Sequence, residues 1–129
     1  MAHWHGISRR KPSGGRLKRP SSYRGKRRTE IASEKQFTMI GDPSRKNYRK
    51  RAGSQTVRVL FDTVINVADK KTGKVTQATL QSVAENAADP NYVRRNIMTK
   101  GAVVDTDKGR VRITSRPGSH GVINGVLLE

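Results

Sequence analysis

The sequence predicts a mainly β protein: a small antiparallel β-barrel-like domain preceded by an extended basic N-terminal segment. Three observations predict it. Apolar residues between Thr56 and Val67 recur at every second position. Glycine-bearing turns follow every several residues from there to Glu129, with no long pattern of period 3.6 between them. The positive charge is concentrated ahead of that region. Residues 1–51 hold 16 Lys+Arg against three acids, net +13, whereas residues 52–129 hold 11 against seven, net +4. The chain changes character near Ala52-Gly53-Ser54, so a basic region 1–51 and a core domain 52–129 are expected.

The elements follow in order. QFTMIG (36–41) offers one short strand. In TVRVLFDTVINV (56–67), Val57, Val59, Phe61, Ile65 and Val67 share one face, interrupted only by Thr63, and Arg58, Asp62 and Asn66 share the other. Asp69 to Lys74 reads as a turn with Gly73 available for a positive φ. VTQATLQSVA (75–84) is a return strand of weaker alternation. NAADPN (86–91) is loop; in NYVRRNIMTKG (91–101), adjacent arginines of an alternating strand would point to opposite faces, so at least one of Arg94 and Arg95 is expected to be exposed. GAVVDTDKGRVRITSR (101–116) is a hairpin turning at Asp107-Lys108-Gly109. Arg116-Pro117-Gly118 turns again, and GVINGVLLE (121–129) is a last strand. Closing such strands into a barrel removes exposed edges.

The 129 residues carry a net charge of +17. That excess speaks of partners rather than fold: nucleic acid, an anionic surface or acidic protein. Only 33% of residues are hydrophobic, so the core is small. No apolar run approaches a membrane span, and MAHWHGISRRKP lacks the apolar stretch of a secretory signal. Cysteine is absent, which excludes disulfides and thiolate metal sites.

Catalytic and metal motifs fail on spacing. His3 and His5 flank Trp4 without Cys, Asp or Glu nearby to complete a metal shell. Thr72-Gly73-Lys74 lacks the glycine five residues earlier that a phosphate loop needs, since residue 68 is Ala. Asp105 and Asp107 flank a turn. No metal, cofactor, small-molecule substrate or enzymatic activity is expected.

Polyanion binding is the positive reading. Arg9, Arg10, Lys11, Arg16, Lys18, Arg19, Arg24, Lys26, Arg27 and Arg28 are ten cations in a stretch with no acid. They stand among Pro12, Gly14, Gly15, Pro20, Gly25 and several serines. Arg forks match phosphate oxygens, and Gly-Gly lets backbone N–H groups approach them. Trp4 and Tyr23 offer stacking faces. Such a segment buries too little surface to order itself, so it is expected to be disordered alone and to order on a polyanion. A membrane anchor would want a basic amphipathic helix, which Pro and Gly prevent. Further cations gather around Tyr48 (Arg45, Lys46, Arg49, Lys50 and Arg51) and in the core at Arg94, Arg95, Lys100, Arg112 and Arg116. Charge alone leaves open an architectural DNA-binding protein or a module for an acidic protein partner.

WHGISRRKPSGGR, NYVRRNIMTKGAVVDT and RVRITSRPGSHGVINGVLLE, in that order, resemble the archaeal and eukaryotic family of small ribosomal subunit proteins called S-eight-e. The resemblance runs over essentially the whole chain, and the compact length is similar to the archaeal type. It implies a structural, non-catalytic protein of the small ribosomal subunit, in the cytoplasm, bound to small-subunit rRNA and neighbouring ribosomal proteins. The family's motifs fall here on Trp4, Gly6, Ser8, Arg10, Lys11, Gly14, Gly15 and Arg16, on Tyr92 to Asn96, and on Thr114 to Gly118. A relative of the same superfamily acts in large-subunit assembly, which keeps a ribosome-assembly factor as the alternative.

Overall fold

The computed structural model of the chain describes residues 3–5, 8, 10–18, 27–32 and 34–128. The chain divides into two compact units, Met1–Lys35 and Gln36–Glu129. In the first, β1 (His3–Trp4) pairs antiparallel with β2 (Ile31–Ala32). A 3₁₀ turn at Arg28–Glu30 precedes β2, with the Arg27 N–H donating to Glu30 Oε2 at 3.4 Å.

The second unit holds β3 (Thr38–Ile40), β4 (Ser44–Arg49), β5 (Gln55–Asp62), β6 (Val64–Ala68), β7 (Val75–Glu85), α1 (Pro90–Arg94), β8 (Ile97–Met98), β9 (Val103–Thr106), β10 (Gly109–Ile113), α2 (Pro117–His120) and β11 (Asn124–Leu127). Five strands close a barrel in the order β10-β11-β6-β7-β9. A four-stranded sheet adjoins it in the order β4-β5-β3-β8. The described residues are mainly β, with a closed barrel in the second unit, as the alternation predicts. By contacts the units separate at Lys35/Gln36, and β3 and β4 pair within the sheet of the second unit. Ala52-Gly53-Ser54 is the turn of the β4–β5 hairpin, closed by Lys50 N–H to Ser54 O at 2.7 Å with Gly53 at φ +82°.

The period-two run 56–67 is two strands in two sheets. Thr63, the interruption in the pattern, is the pivot between them. Asp62 holds that corner. The residue is 4% exposed, and its Oδ1 accepts the N–H groups of Thr63 at 2.9 Å and Val64 at 3.2 Å. Oδ2 meets Arg45 Nη2 at 3.2 Å. The sequence placed Asp62 on the polar outer face; it turns inward because the corner leaves two amides with no ladder partner.

The barrel interior is filled from β6, β7, β9 and β10 by Ile65, Val67, Leu80, Val83, Val104, Val111 and Ile113. Each side chain so buried contributes about 1.5–3 kcal/mol. The weak alternation of β7 has a cause: Leu80 and Val83 are both buried although three apart, because a bulge between Leu80 and Ser82 resets the register. The barrel shuts through a parallel pair, β11 on β6, with Asn66 Nδ2 donating to Asn124 Oδ1 at 3.0 Å. Gly125 faces inward there. A Cβ would overlap Val111 Cγ1 and stand 3.0 Å from Arg112 O.

Two segments differ from the sequence reading. Residues 90–94 are helical rather than a strand: Asp89 Oδ1 caps the Asn91 N–H at 2.8 Å, Pro90 takes the first helical position, and Asn96 ends the turn at φ +50°. Arg94 and Arg95 are therefore both exposed at a helix end. Pro117–His120 is likewise one helical turn, stopped by Gly121 at φ +75°.

Replacing Asp62 by Ala orphans two backbone amides and frees Arg45; because Arg45 is half exposed, the amides carry most of the loss, about 2–3 kcal/mol by chemical denaturation. Deleting residues 1–35 leaves the β domain folded. Deleting residues 1–51 removes β3 and β4, uncovers Val59, which is 1% exposed, and lowers stability by about 2–3 kcal/mol in circular-dichroism melts.

Candidate nucleic-acid interface

Within the first unit, RKPSGGR forms a tight loop rather than a structureless run. Arg10 and Arg16 face each other across an antiparallel bridge. Lys11 N–H donates to Gly15 O at 2.8 Å, and Gly14 N–H returns to Lys11 O at 2.9 Å. Pro12 presets the turn, and Gly14 sits at φ +84°, where a side chain is strained even though the space around it is open. The Arg10 guanidinium braces the loop by donating from Nη1 to Gly14 O at 2.9 Å. Every residue from Arg10 to Lys18 is exposed, so hydrogen bonds rather than burial define the shape. Lys11, Arg16 and Lys18 are displayed around it. Arg27 and Arg28 are exposed at the 3₁₀ turn before β2. Arg9, Arg19, Tyr23, Arg24, Lys26 and the Trp4 side chain lie outside the described residues.

On the β domain, the cations around Tyr48 separate by face. Lys46 pairs across the ladder with Arg58, and both flank the Tyr48 ring. Arg58 Cζ lies 4.9 Å from the ring centroid and Lys46 Nζ 5.5 Å. These are cation–π distances. Gln36 Oε1 ties the group together, accepting from Tyr48 Oη at 2.8 Å and from Arg58 Nη1 at 3.2 Å. The neighbouring Phe37 carries a second such group. Arg95 lies 5.5 Å above its ring, and Tyr92 packs against it with centroids 5.2 Å apart.

Sequence reasoning named Lys46 and Arg95 but missed Arg58 as a site residue. The signal was available: β5 alternates, Arg58 lies on its polar face, and only a pairing strand was needed to bring it to Lys46. Arg45 is diverted from solvent partners to Asp62. Arg49, Lys50 and Arg51 are exposed at and beyond the end of β4.

The remaining candidates are dispersed over the domain. Lys100 occupies a tight turn, with Ala102 N–H on Thr99 O at 3.2 Å and Gly101 at φ +87°. Arg112 is exposed between buried Val111 and Ile113. Arg110, its neighbour on that face, is partnered by Asp105 at 3.4 Å. Arg116 is exposed and caps α2 at its N-terminus, its backbone N–H donating to His120 Nδ1 at 3.1 Å.

The β6–β7 loop adds lysines outside the predicted set: Lys70, Lys71 and Lys74. Asp69 organises it. Its Oδ1 accepts the Lys71 N–H at 2.9 Å and its Oδ2 the Thr72 hydroxyl at 2.8 Å. Those bonds, the Lys71 amide first, hold the Asp69 carboxyl below its ordinary value of 3.8.

The family described as Ribosomal protein S8e matches residues 4–128. Curated relatives bear the name small ribosomal subunit protein eS8. One from Methanocorpusculum labreanum is 52% identical over 126 residues, 98% of each chain. One from Methanospirillum hungatei is 50% identical over the same share. One from Methanobrevibacter smithii is 42% identical over 128 residues, covering 99% of this chain and all of the relative.

An NMR titration of the carboxylates should find Asp69 ionising below 3.8, and Thr72→Val should move it upward. Because the folded value is depressed, the loop's stabilisation is present above the unfolded value and fades as pH falls through the folded one.

Proposed function

The chain belongs to the ribosomal protein S8e family, and on that premise we propose that it is a structural protein of the small ribosomal subunit that binds and stabilises small-subunit rRNA. Its neighbours on this reading are rRNA and other ribosomal proteins, and its place is the ribosome in the cytoplasm. What carries the reading is the end-to-end match of a strongly basic chain to proteins named for that subunit.

The chemistry supports it in two ways. The basic region of residues 1–51 supplies forks and point charges: Arg9, Arg10, Lys11, Arg16, Lys18, Arg19, Arg24, Lys26, Arg27 and Arg28, then Arg45, Lys46, Arg49, Lys50 and Arg51. Gly14 and Gly15 let backbone amides come close to phosphate, and Trp4 provides a stacking face. The remainder of the chain supplies a folded support with Arg94, Arg95, Lys100, Arg112 and Arg116 on its outside. These side chains are exposed wherever they are described, so they lose little hydration free energy before binding, and affinity derives largely from released counterions. Recognition on this reading is of backbone and shape, since A-form RNA hides its base edges in a deep groove. Arg10 is split between two tasks, because its guanidinium also closes the Lys11–Gly15 loop.

Binding of the full chain to small-subunit rRNA should weaken steeply with salt, with a log–log slope of about −5 or steeper for six or more phosphates. Lys11→Gln with Arg16→Gln reduces that slope by about two units. Gly14→Val, which leaves the charge unchanged but strains the loop, lowers affinity without the same change of slope. Salt-insensitive binding, or sedimentation of the native protein with nucleoid instead of small subunits, rules the proposal out.

A further inference from the structure

We infer that the groove bordered by β4, β5 and α2 is a seat for one phosphodiester of an RNA strand, built wholly from residues of the β domain. The inference rests on the ribosomal reading above and gives it a defined contact point. The groove measures about 700 Å³, within the range that holds a single small ligand. Lys50, Arg58, Thr56, Ser119 and His120 line it together with Tyr48, and among the described residues no carboxylate does. Its lining is thus donor-rich and cationic, the chemistry that a phosphate needs.

Two of the donors, Arg58 and His120, are oriented before any ligand arrives. Arg58 is held over the Tyr48 ring and tied by Nη1 to Gln36, an amide rather than an acid, so its charge is oriented without being neutralised. Its Nε is buried and has no hydrogen-bond partner among the described residues. His120 accepts the Arg116 N–H on Nδ1, which leaves Nε2–H as the donor of the neutral ring. The opposite wall cannot drift. Gly121, immediately after His120, sits so close to Val57 that a Cβ would come within 2.9 Å of the Val57 Cβ. That approach pins α2 against β5 and fixes Ser119 and His120 opposite Arg58.

An isolated carboxylate of a protein partner would also meet donors here. The cations, however, continue past the groove, along β4 at Lys46 and at the start of α2 at Arg116, both exposed or ring-stacked with no acid beside them in the contacts described. Cations that recur beside the groove suit a strand whose phosphates recur.

The test titrates the full-length protein, followed by ¹⁵N–¹H NMR, with hexauridylate, with uridine and with a short glutamate peptide. Saturable shifts at Lys50, Ser119 and His120 with hexauridylate but not with uridine support the seat. In parallel, Lys50→Gln with His120→Gln, checked for an unchanged melting curve, should weaken binding of small-subunit rRNA about three- to tenfold and reduce the salt slope by about one unit. Ser119→Ala, on an exposed side chain, gives a milder second variant with a smaller loss in the same direction. Absence of saturable shifts with hexauridylate, saturation by the glutamate peptide in its place, or unchanged rRNA affinity and slope in the folded double variant overturns the inference. Failure of the wild-type chain to bind rRNA counts against the ribosomal reading, whereas the hexauridylate titration reads the groove by itself.

Discussion

The carboxylate of Asp62 is the constraint on which the rest of the β domain depends. A chain that alternates apolar residues from Val57 to Val67 would continue as one long strand unless something turned it. Asp62 supplies what turning needs: acceptors for the two amides that leave the ladder at Thr63 and Val64. With the corner fixed, β5 stays in the open sheet and β6 becomes a wall of the barrel. Val59 then belongs to one layer and Ile65 to the next, yet both reach the same core. The Arg45 pairing is secondary in energy, since half of that side chain faces water, but it selects which cations of β4 remain free.

Much of this architecture was legible in the residues. Period two in 56–67 and the glycine turns gave the β class. The corner was marked by Thr63, but a single polar residue in an apolar series does not say whether the strand bulges, breaks or carries on. Strand β4 was hidden because it is an edge whose side chains are mostly exposed, so its sequence shows cations instead of alternation. The helix at Pro90–Arg94 was misread although its signals were present: Asp before Pro as cap and first position, and Asn96 for the positive φ. Five residues are too few to display a 3.6-residue period. RKPSGGR was read through its composition, which excludes a hydrophobic core, whereas a turn closed by backbone hydrogen bonds needs none.

The basic residues themselves were easy to find, and their grouping was not. Grouping is set by strand register: Lys46 meets Arg58 because β4 pairs antiparallel with β5, and no feature of either segment alone reports that pairing. Register also decides how the aromatics are used. The Tyr48 and Phe37 rings each already carry an arginine of the same chain, so their faces orient cations. Stacking an arginine in this way restricts its rotamers in advance.

The parallel pairing of β11 with β6 has a consequence in time. Asn66 and Asn124, which meet across that seam, are 58 residues apart, so closing the barrel means bringing distant chain segments together against a large loop entropy. The loop at Arg10–Arg16 closes over a handful of residues, a step many orders faster than assembling a non-local sheet. The molecule therefore matures in two tempos. Its small basic loop can take shape while the barrel seam is still open, and the order of events runs from the most local hydrogen bonds to the most distant.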